Sequence, residues 1–222
     1  STLKGFCKLV DATDLVNRIR MVKSKAELDY VRMAGKLGDA ALKAGIAAAK
    51  AGADEGKILA AQQAAVFAGG GDYPANEFII GSADEALLVR SKSGRRKLSK
   101  NDQLTLEFAS VYRHYHAAFM RTIAIGKPTE HHVAMHKACR AALKAVEDAM
   151  RPGHTAGDVF DAHAEVMDAH GMRAHRMNAC GYALGAKFTP SWMDFPMFYH
   201  GNPVEILPDM VRRGIRPDLL TD

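Results

Sequence analysis

The 222 residues carry 48% hydrophobic and 25% charged side chains, enough for one well-buried core and ordinary for a globular chain, so one main domain is expected. The net charge of +5 is spread along the chain, and its densest cluster, Arg95-Arg96-Lys97, sits in a turn between Gly94 and Ser99 without interleaved aromatics; a solvated loop is expected there and a nucleic-acid partner is not. Three cysteines (Cys7, Cys139, Cys180) at unrelated spacings exclude a disulfide frame and a zinc site, and with no apolar run of membrane-span length and no signal-peptide pattern the expectation is reduced thiols in a cytoplasmic protein free of the membrane.

In chain order, residues 1–20 read as the end of an upstream domain and its linker, with a short helix over Asp14–Ile19. Ser24-Lys-Ala-Glu27 has the capping-box spacing, a side-chain acceptor followed three residues on by a carboxylate that can reach back, so a helix opens there and runs to about Ala51. Gly52-Ala-Asp-Glu55 breaks it and starts a second helix, which Gly69-Gly-Gly71 stops. Phe78–Ile80 and Ala86–Val89 read as strands. Beyond Gly126 a helix from His131 to Met150, a break at Pro152-Gly153 and a helix from Asp158 to Ala169 repeat the pattern. Letters repeat too: Ala40–Ala44 matches Ala141–Ala145, Gly52 matches Gly153, Gly56 matches Gly157 and Gly70 matches Gly171, always at a separation of 101 positions. Glycines recurring at helix ends on one register predict a duplicated α-α-β unit, with strands joined in one sheet and helices behind it.

Between these halves lies Leu104–Thr122, rich in β-formers and free of Pro and Gly, which predicts an antiparallel hairpin. Glu107 is its anomaly, a carboxylate flanked on its own face by Thr105 and Ala109. Either the strand is an edge with Glu107 in water, or the charge is buried and a cation answers it, since an unanswered buried ion costs several kcal/mol. Arg90, Arg113, His114, His116 and Arg121 are the nearby candidates, with Arg121 read mainly as a tie between strands. Met135, Met150, Met167 and Met172 read as core filling.

Four stretches resemble the creatinase, prolidase and methionine aminopeptidase superfamily from about Met21 to Met210. They are Met21–Glu27, Ile80-Gly-Ser82, the Glu107 hairpin closing in Arg121-Thr122, and Cys180-Gly-Tyr-Ala-Leu-Gly185. The resemblance implies an α+β pita-bread fold: a pseudo-twofold duplication of α-α-β units around a curved antiparallel sheet, with the C-terminal strands missing. It divides the chain into an upstream remnant at 1–20, an incomplete catalytic domain at 21–211 and a divergent tail at 212–222. In the family's metallopeptidases the hairpin carries two aspartates that hold a metal pair; here the matching positions are Glu107 and Ala118. Tyr182 stands where a histidine ligand is expected, Arg90 where the histidine that assists cleavage falls, and two glutamate ligands would lie beyond Val211. Alanine has no donor atom and a protonated phenol is a poor substitute for imidazole, so neither a metal nor another cofactor is expected.

Among metal-free branches, Leu104–His116 followed by Met120-Arg-Thr122 is most similar to ectoine hydrolases. That resemblance implies a small zwitterionic substrate, a cyclic amidinium bearing a carboxylate, with Glu107 as nucleophile or general base. Arg90 would face the substrate carboxylate, and Tyr112, Tyr182 and Trp192 would wall the site. His116 reads either as a proton shuttle or as a satisfied structural histidine, and His175 is a further catalytic candidate. The resemblance also implies a homodimer of the full-length protein. The alternatives are a creatinase-like amidinohydrolase, an Xaa-Pro peptidase-like metallohydrolase and a degenerate binding module.

Overall fold

The structure is a computed structural model, and it describes residues 5–6, 8, 10–87 and 95–206. Helix α1 (Thr13–Met21) precedes α2 (Lys25–Ala48) and α3 (Glu55–Ala68), and strands β1 (Ile79–Ser82), β2 (Asp102–Tyr112) and β3 (Tyr115–Ile125) follow. The second half comprises α4 (Glu130–Ala149), α5 (Ala156–Ala169), β4 (Ala179–Ala183) and β5 (Asp194–Tyr199). The capping box opens α2 as expected: Ser24 Oγ accepts the Glu27 N–H at 3.3 Å, and Glu27 Oε2 accepts the Ser24 N–H at 2.7 Å.

Strands β1, β2 and β3 form an antiparallel sheet in that order, and β2 and β3 pair along their whole length, from Asp102 with Ile125 to Tyr112 with Tyr115. Alternation sorts their side chains. Leu104, Leu106 and Phe108 are fully buried and pack with Ala41 of α2 and with Ile58 and Val66 of α3. The odd-numbered residues of β2, Glu107 among them, therefore look away from the helices. Helix α2 comes close to the sheet at Gly38, where a Cβ would stand 2.1 Å from the Phe119 ring and 2.6 Å from Ser110 Oγ. Ser110 Oγ donates to the Ala34 carbonyl of the same helix at 2.8 Å.

The duplication is written in the backbone. Gly52 and Gly153 both have positive φ (80° and 88°), as do Gly70 and Gly171 (84° and 74°), a conformation glycine enters without steric cost. Glu55 N–H donates to the Arg96 carbonyl and Leu98 N–H to the Ala53 carbonyl. In the second half Ala156 N–H donates to Val204 and Ile206 N–H to His154. Leu98 and Ile206 are buried at matching places in two separate apolar clusters.

Two expectations need correction. The single sheet is two sheets, β1–β3 and the pair β4–β5, linked by a bridge between Tyr115 and Ala186 and by the bonds from His116 N–H to the Gly185 carbonyl and from Lys187 N–H to the His114 carbonyl. Ala86, read as the start of a strand, lies instead in a 3-10 turn over Ala83–Leu87, where its carbonyl accepts from Thr105 Oγ1 at 3.1 Å; the rest of that stretch, through Val89 and Arg90, lies outside the described residues. A run of four apolar residues has no periodicity to separate a strand from a tight turn.

Candidate functional site

Cross-strand pairs share a face, so the register places Ile79 and Met120 on either side of half-buried Glu107, with Thr105 and Ala109 above and below it. Ala118, opposite Ala109, is a diagonal neighbour of Glu107. Ala109 belongs to a small apolar cluster with Ala75, Ile79 and Trp192, against which Ala118, Tyr182 and Met193 pack. Trp192 is 4% exposed and its Nε1–H donates to the Tyr182 hydroxyl at 2.9 Å. Glu107, Ala118, His116, Tyr182 and Trp192 are thus gathered on the open face of the sheet.

The hairpin turns at Arg113-His114, both with positive φ (52° and 66°), the backbone of a type I′ turn made without Asn or Gly. Such residues pay a conformational cost, and surrounding contacts hold them. Asp72 Oδ2 accepts the Arg113 N–H at 2.6 Å, the His114 carbonyl accepts from Lys187 N–H at 3.0 Å, and the His114 ring lies 4.7 Å from that of Phe188. His116 is fully buried; its Nε2 accepts the Ala75 N–H at 2.9 Å and its Nδ1 meets the His114 carbonyl at 2.9 Å. Burial is the largest influence on this ring and lowers its pKa below the ordinary histidine value. Its geometry matches the structural alternative for His116, because both nitrogens are spent on backbone groups.

Other expected site residues fall elsewhere. Tyr112 stands on the opposite face of β2 from Glu107, as an odd separation along a strand requires, and its ring lies 5.8 Å from that of Tyr30 on α2. It does not wall the Glu107 face. His175 is exposed and lines a different space, an open cleft of about 1010 Å³ between the Gln103 end of β2 and the helices α4 and α5. Met135, Met167 and Met172 line that cleft too, instead of filling a core, while Met150 packs on the second-half cluster as expected. Arg90 lies outside the described residues. Arg121 is exposed; among the described residues its guanidinium donates to the carbonyl of its neighbour Met120 at 2.8 Å and lies 5.9 Å from the Phe119 ring centre, with no tie across strands there.

Two charged centres were missed in the sequence. Asp194 is 8% exposed and faces Arg20 at 3.2 Å, Lys23 at 3.8 Å and Lys187 at 3.9 Å, so it fastens the end of α1, the linker after it and the segment following β4. Its signal was parity, since a carboxylate that alternates with Pro196 and buried Phe198 must face inward. Burial lowers the Lys23 pKa and the nearby Asp194 charge opposes that shift. Arg96, assigned to a solvated turn, is built into a network instead. Its guanidinium donates to Ser82 Oγ at 2.7 Å and to Asp102 at 2.5 Å, while fully buried Glu55 accepts from Ser82 Oγ at 2.5 Å and from the Arg96 N–H at 3.0 Å.

No three His, Cys, Asp or Glu residues come together in a way that could hold a metal ion among the described residues. Among the described residues, the diagonal neighbour of Glu107 offers only the methyl group of Ala118 and the adjoining apolar cluster only the phenol of Tyr182, which do not by themselves make the donor set of a carboxylate-rich metal pair. No helix among the described residues is long and apolar enough to cross a membrane.

The profile of metallopeptidase family M24 matches residues 29–213. Curated relatives include an Xaa-Pro dipeptidase of Pyrococcus furiosus, 24% identical over 185 residues that cover 83% of this chain and 52% of the relative. They also include an ectoine hydrolase of Halomonas elongata, 26% identical over 196 residues that cover 83% and 48%. The prolidase structure from Pyrococcus furiosus superposes with a TM-score of 0.81 at 22% identity, over 87% of this chain and 56% of that one. The dipeptidase PepE structure from Mycobacterium ulcerans superposes with a TM-score of 0.80 at 26% identity, over 89% and 52%. The fold is therefore the pita-bread fold, and the chain spans about half the length of the relatives it matches.

Proposed function

The chain belongs to metallopeptidase family M24, and from that premise we propose that it is the core of a hydrolase that opens the cyclic amidine of ectoine, or of a close zwitterionic analogue, without a resident metal pair. The observation that carries this reading is Glu107 on the open face of the hairpin with Ala118 as its diagonal neighbour and the hydrogen-bonded Tyr182–Trp192 pair closing one side. A carboxylate partly withdrawn from water attracts an amidinium and is a stronger base and nucleophile than one in bulk solvent. The similarity to an ectoine hydrolase at 26% identity adds support.

Two routes use the same carboxylate. In one, a Glu107 oxygen adds to the amidinium carbon, the ring C–N bond breaks as the nitrogen takes a proton, and water then displaces Glu107 to leave an N-acetylated diamino acid. In the other, Glu107 takes a proton from a water whose oxygen adds to that carbon, and the proton passes to the departing nitrogen. The net change in both is addition of one water across one C–N bond. Arg90 is part of this proposal as the partner of the substrate carboxylate. Cytoplasmic location and a homodimer of the longer protein are also part of it.

The test is incubation of the protein, with its natural flanking sequence, with ectoine in the presence and absence of a chelator, followed by product mass. Ring opening unaffected by the chelator is expected, and Glu107→Gln is expected to lower kcat by about 10²–10⁴-fold. Near-normal turnover by Glu107→Gln would overturn both routes, and trapping a substrate linked to Glu107 would select the covalent one. A second reading, hydrolysis of Xaa-Pro dipeptides with divalent metal, is favoured by the dipeptidases among the relatives. Peptide cleavage lost on chelation and restored by metal would select it. A screen that includes linear guanidino and amidino acids separates a creatinase-like preference, and no turnover of any of these would leave a binding module.

A further inference from the structure

His116 lies in the wall of the open face, and its two ring contacts fix its chemical form. A backbone N–H carries its hydrogen at every pH in question, so Nε2, 2.9 Å from the Ala75 nitrogen, must present a lone pair. The carbonyl of His114 is an acceptor, so Nδ1, 2.9 Å away, must carry the proton. Only the neutral ring with hydrogen on Nδ1 satisfies both. No ring nitrogen is then left for a substrate proton.

The contact it holds matters for the site. Ala75 is 4% exposed and packs with Ile79, Ala109 and Trp192, the cluster that borders Glu107. The segment 72–77 that carries it is tied to the hairpin by Asp72, whose N–H reaches the Val111 carbonyl and whose carboxylate takes the Arg113 N–H, and by the His116 ring. We propose that His116 is a positioning residue: its neutral ring pins the Ala75 wall beside Glu107, and removing the Nε2 lone pair, by substitution or by protonation, releases that wall. The inference goes beyond the proposed reaction and stands whatever the substrate.

The groups around the ring favour the neutral form. His114, on its own hairpin, and Lys187, on the segment after β4, both oppose a second positive charge. On segment 72–77, Asp72 is engaged by Arg113, and Tyr73 and Glu77 are exposed. Because the folded ring is harder to protonate than the unfolded one, its contribution to stability is complete above about pH 6.5 and is lost as pH falls below that value.

Trp192 is the only tryptophan and touches the same cluster, so its emission reports on the wall without any assay of turnover. Three forms are compared by emission from pH 8 to pH 5, with far-ultraviolet circular dichroism to show that the fold persists. The native protein is expected to show a red shift only at pH values below the ordinary histidine range, where the folded ring takes its proton. His116→Gln, whose amide oxygen can stand near Nε2 but does not titrate, is expected to keep the neutral-pH emission and lose the acid shift. His116→Asn, too short to reach Ala75, is expected to show the red-shifted emission already at pH 8. An acid shift retained in His116→Gln, or native emission in His116→Asn, would overturn the proposal. Should the asparagine form not fold, nitrogen NMR of the native ring decides: hydrogen on Nδ1 at neutral pH and protonation only below the ordinary histidine range support it, and hydrogen on Nε2 or an ordinary titration overturns it. Failure of ectoine turnover alters none of these readouts.

Discussion

The two halves of the chain share a backbone and fill it differently. Where the first half has Glu55, Ser82 and Arg96, the corresponding positions of the second hold Ala156, Ala183 and Val204, yet the backbone bond from the first residue to the carbonyl of the third is kept in both. One half uses a buried charged network, while in the other the Val204 N–H is taken by the side-chain oxygen of buried, uncharged Asn202 at 3.1 Å. The fold therefore does not need the network. A buried ionic group held by hydrogen bonds is weak evidence of net stability, because its attraction has first to offset the loss of water.

The halves also differ in length, and the difference falls at the site. From Ala53 to His154 the separation is 101 positions, but from Leu98 to Ile206 it is 108, so seven residues are added between β4 and Ile206. That interval brings Lys187 to the hairpin tip, lays Phe188 on His114 and supplies Trp192. The repeated parts build the scaffold, and the unrepeated interval adds Trp192 to the wall that Ala75, Ile79 and Tyr182 already supply.

The polar junction gives the largest expected effect on stability. Glu55→Ala leaves the buried Ser82 hydroxyl and the Arg96 N–H without their acceptor and is expected to cost roughly 3 kcal/mol in denaturant unfolding. Glu55→Ala, Ser82→Ala and Arg96→Val together write the second half's residues into the first. That triple variant is expected to cost less than the sum of the three single changes, since the Ser82 hydroxyl and the Arg96 guanidinium leave together with their Glu55 partner, while the backbone N–H of residue 96 and the Asp102 carboxylate still lose a contact. Strict additivity would mean that the network acts as separate contacts and that the comparison between halves carries no energetic meaning.

A second contrast concerns thiols within the later half. Cys139 on α4 is exposed, whereas burial pushes the Cys180 thiol on β4 up to about 11. Thiolate is the reactive form, so at pH 8 a thiol reagent is expected to modify Cys139 while Cys180 reacts slowly, with peptide mass mapping as the readout. Equal labelling would show that β4 opens readily and that its wall is not fixed. Unfolding in denaturant is expected to abolish the difference.

Much of this was legible in the letters. The capping box at Ser24 gave the start of α2, glycines at one register gave the duplication, and the run Leu104–Thr122 gave the hairpin, because each depends on a few neighbouring residues. Glu107 was legible as an anomaly, and parity alone was enough to separate Tyr112 from its face. The remainder was not local. That the His116 ring is spent on Ala75 and His114, that Asp194 gathers Arg20, Lys23 and Lys187, and that Arg96 reaches Asp102 and Ser82 all depend on contacts across long sequence separations. His175, a catalytic candidate by resemblance alone, fell in another cleft, because no sequence pattern states how far its segment lies from the hairpin.

The smallest effect tests the two halves at a single equivalent position. Asp54 caps α3 by accepting the Gly56 N–H at 2.8 Å, while Thr155, its counterpart, caps α5 by accepting the Asp158 N–H at 3.1 Å. Only the second is reciprocal, since Asp158 Oδ2 accepts the Thr155 N–H at 2.7 Å. Loss of either cap to alanine is expected to cost about 1 kcal/mol. The Thr155 backbone bond, and then its hydroxyl, lower the Asp158 pKa from its usual value of 3.8, so this carboxylate contributes stability above that value and loses the contribution as pH falls through its folded pKa. Thr155→Ala removes the hydroxyl and is expected to move the Asp158 titration, followed by carboxyl NMR, part of the way back towards 3.8, the backbone bond holding the rest. A full return would mean that the box closes only through the hydroxyl, and no movement would mean that the α5 cap is as one-sided as that of α3.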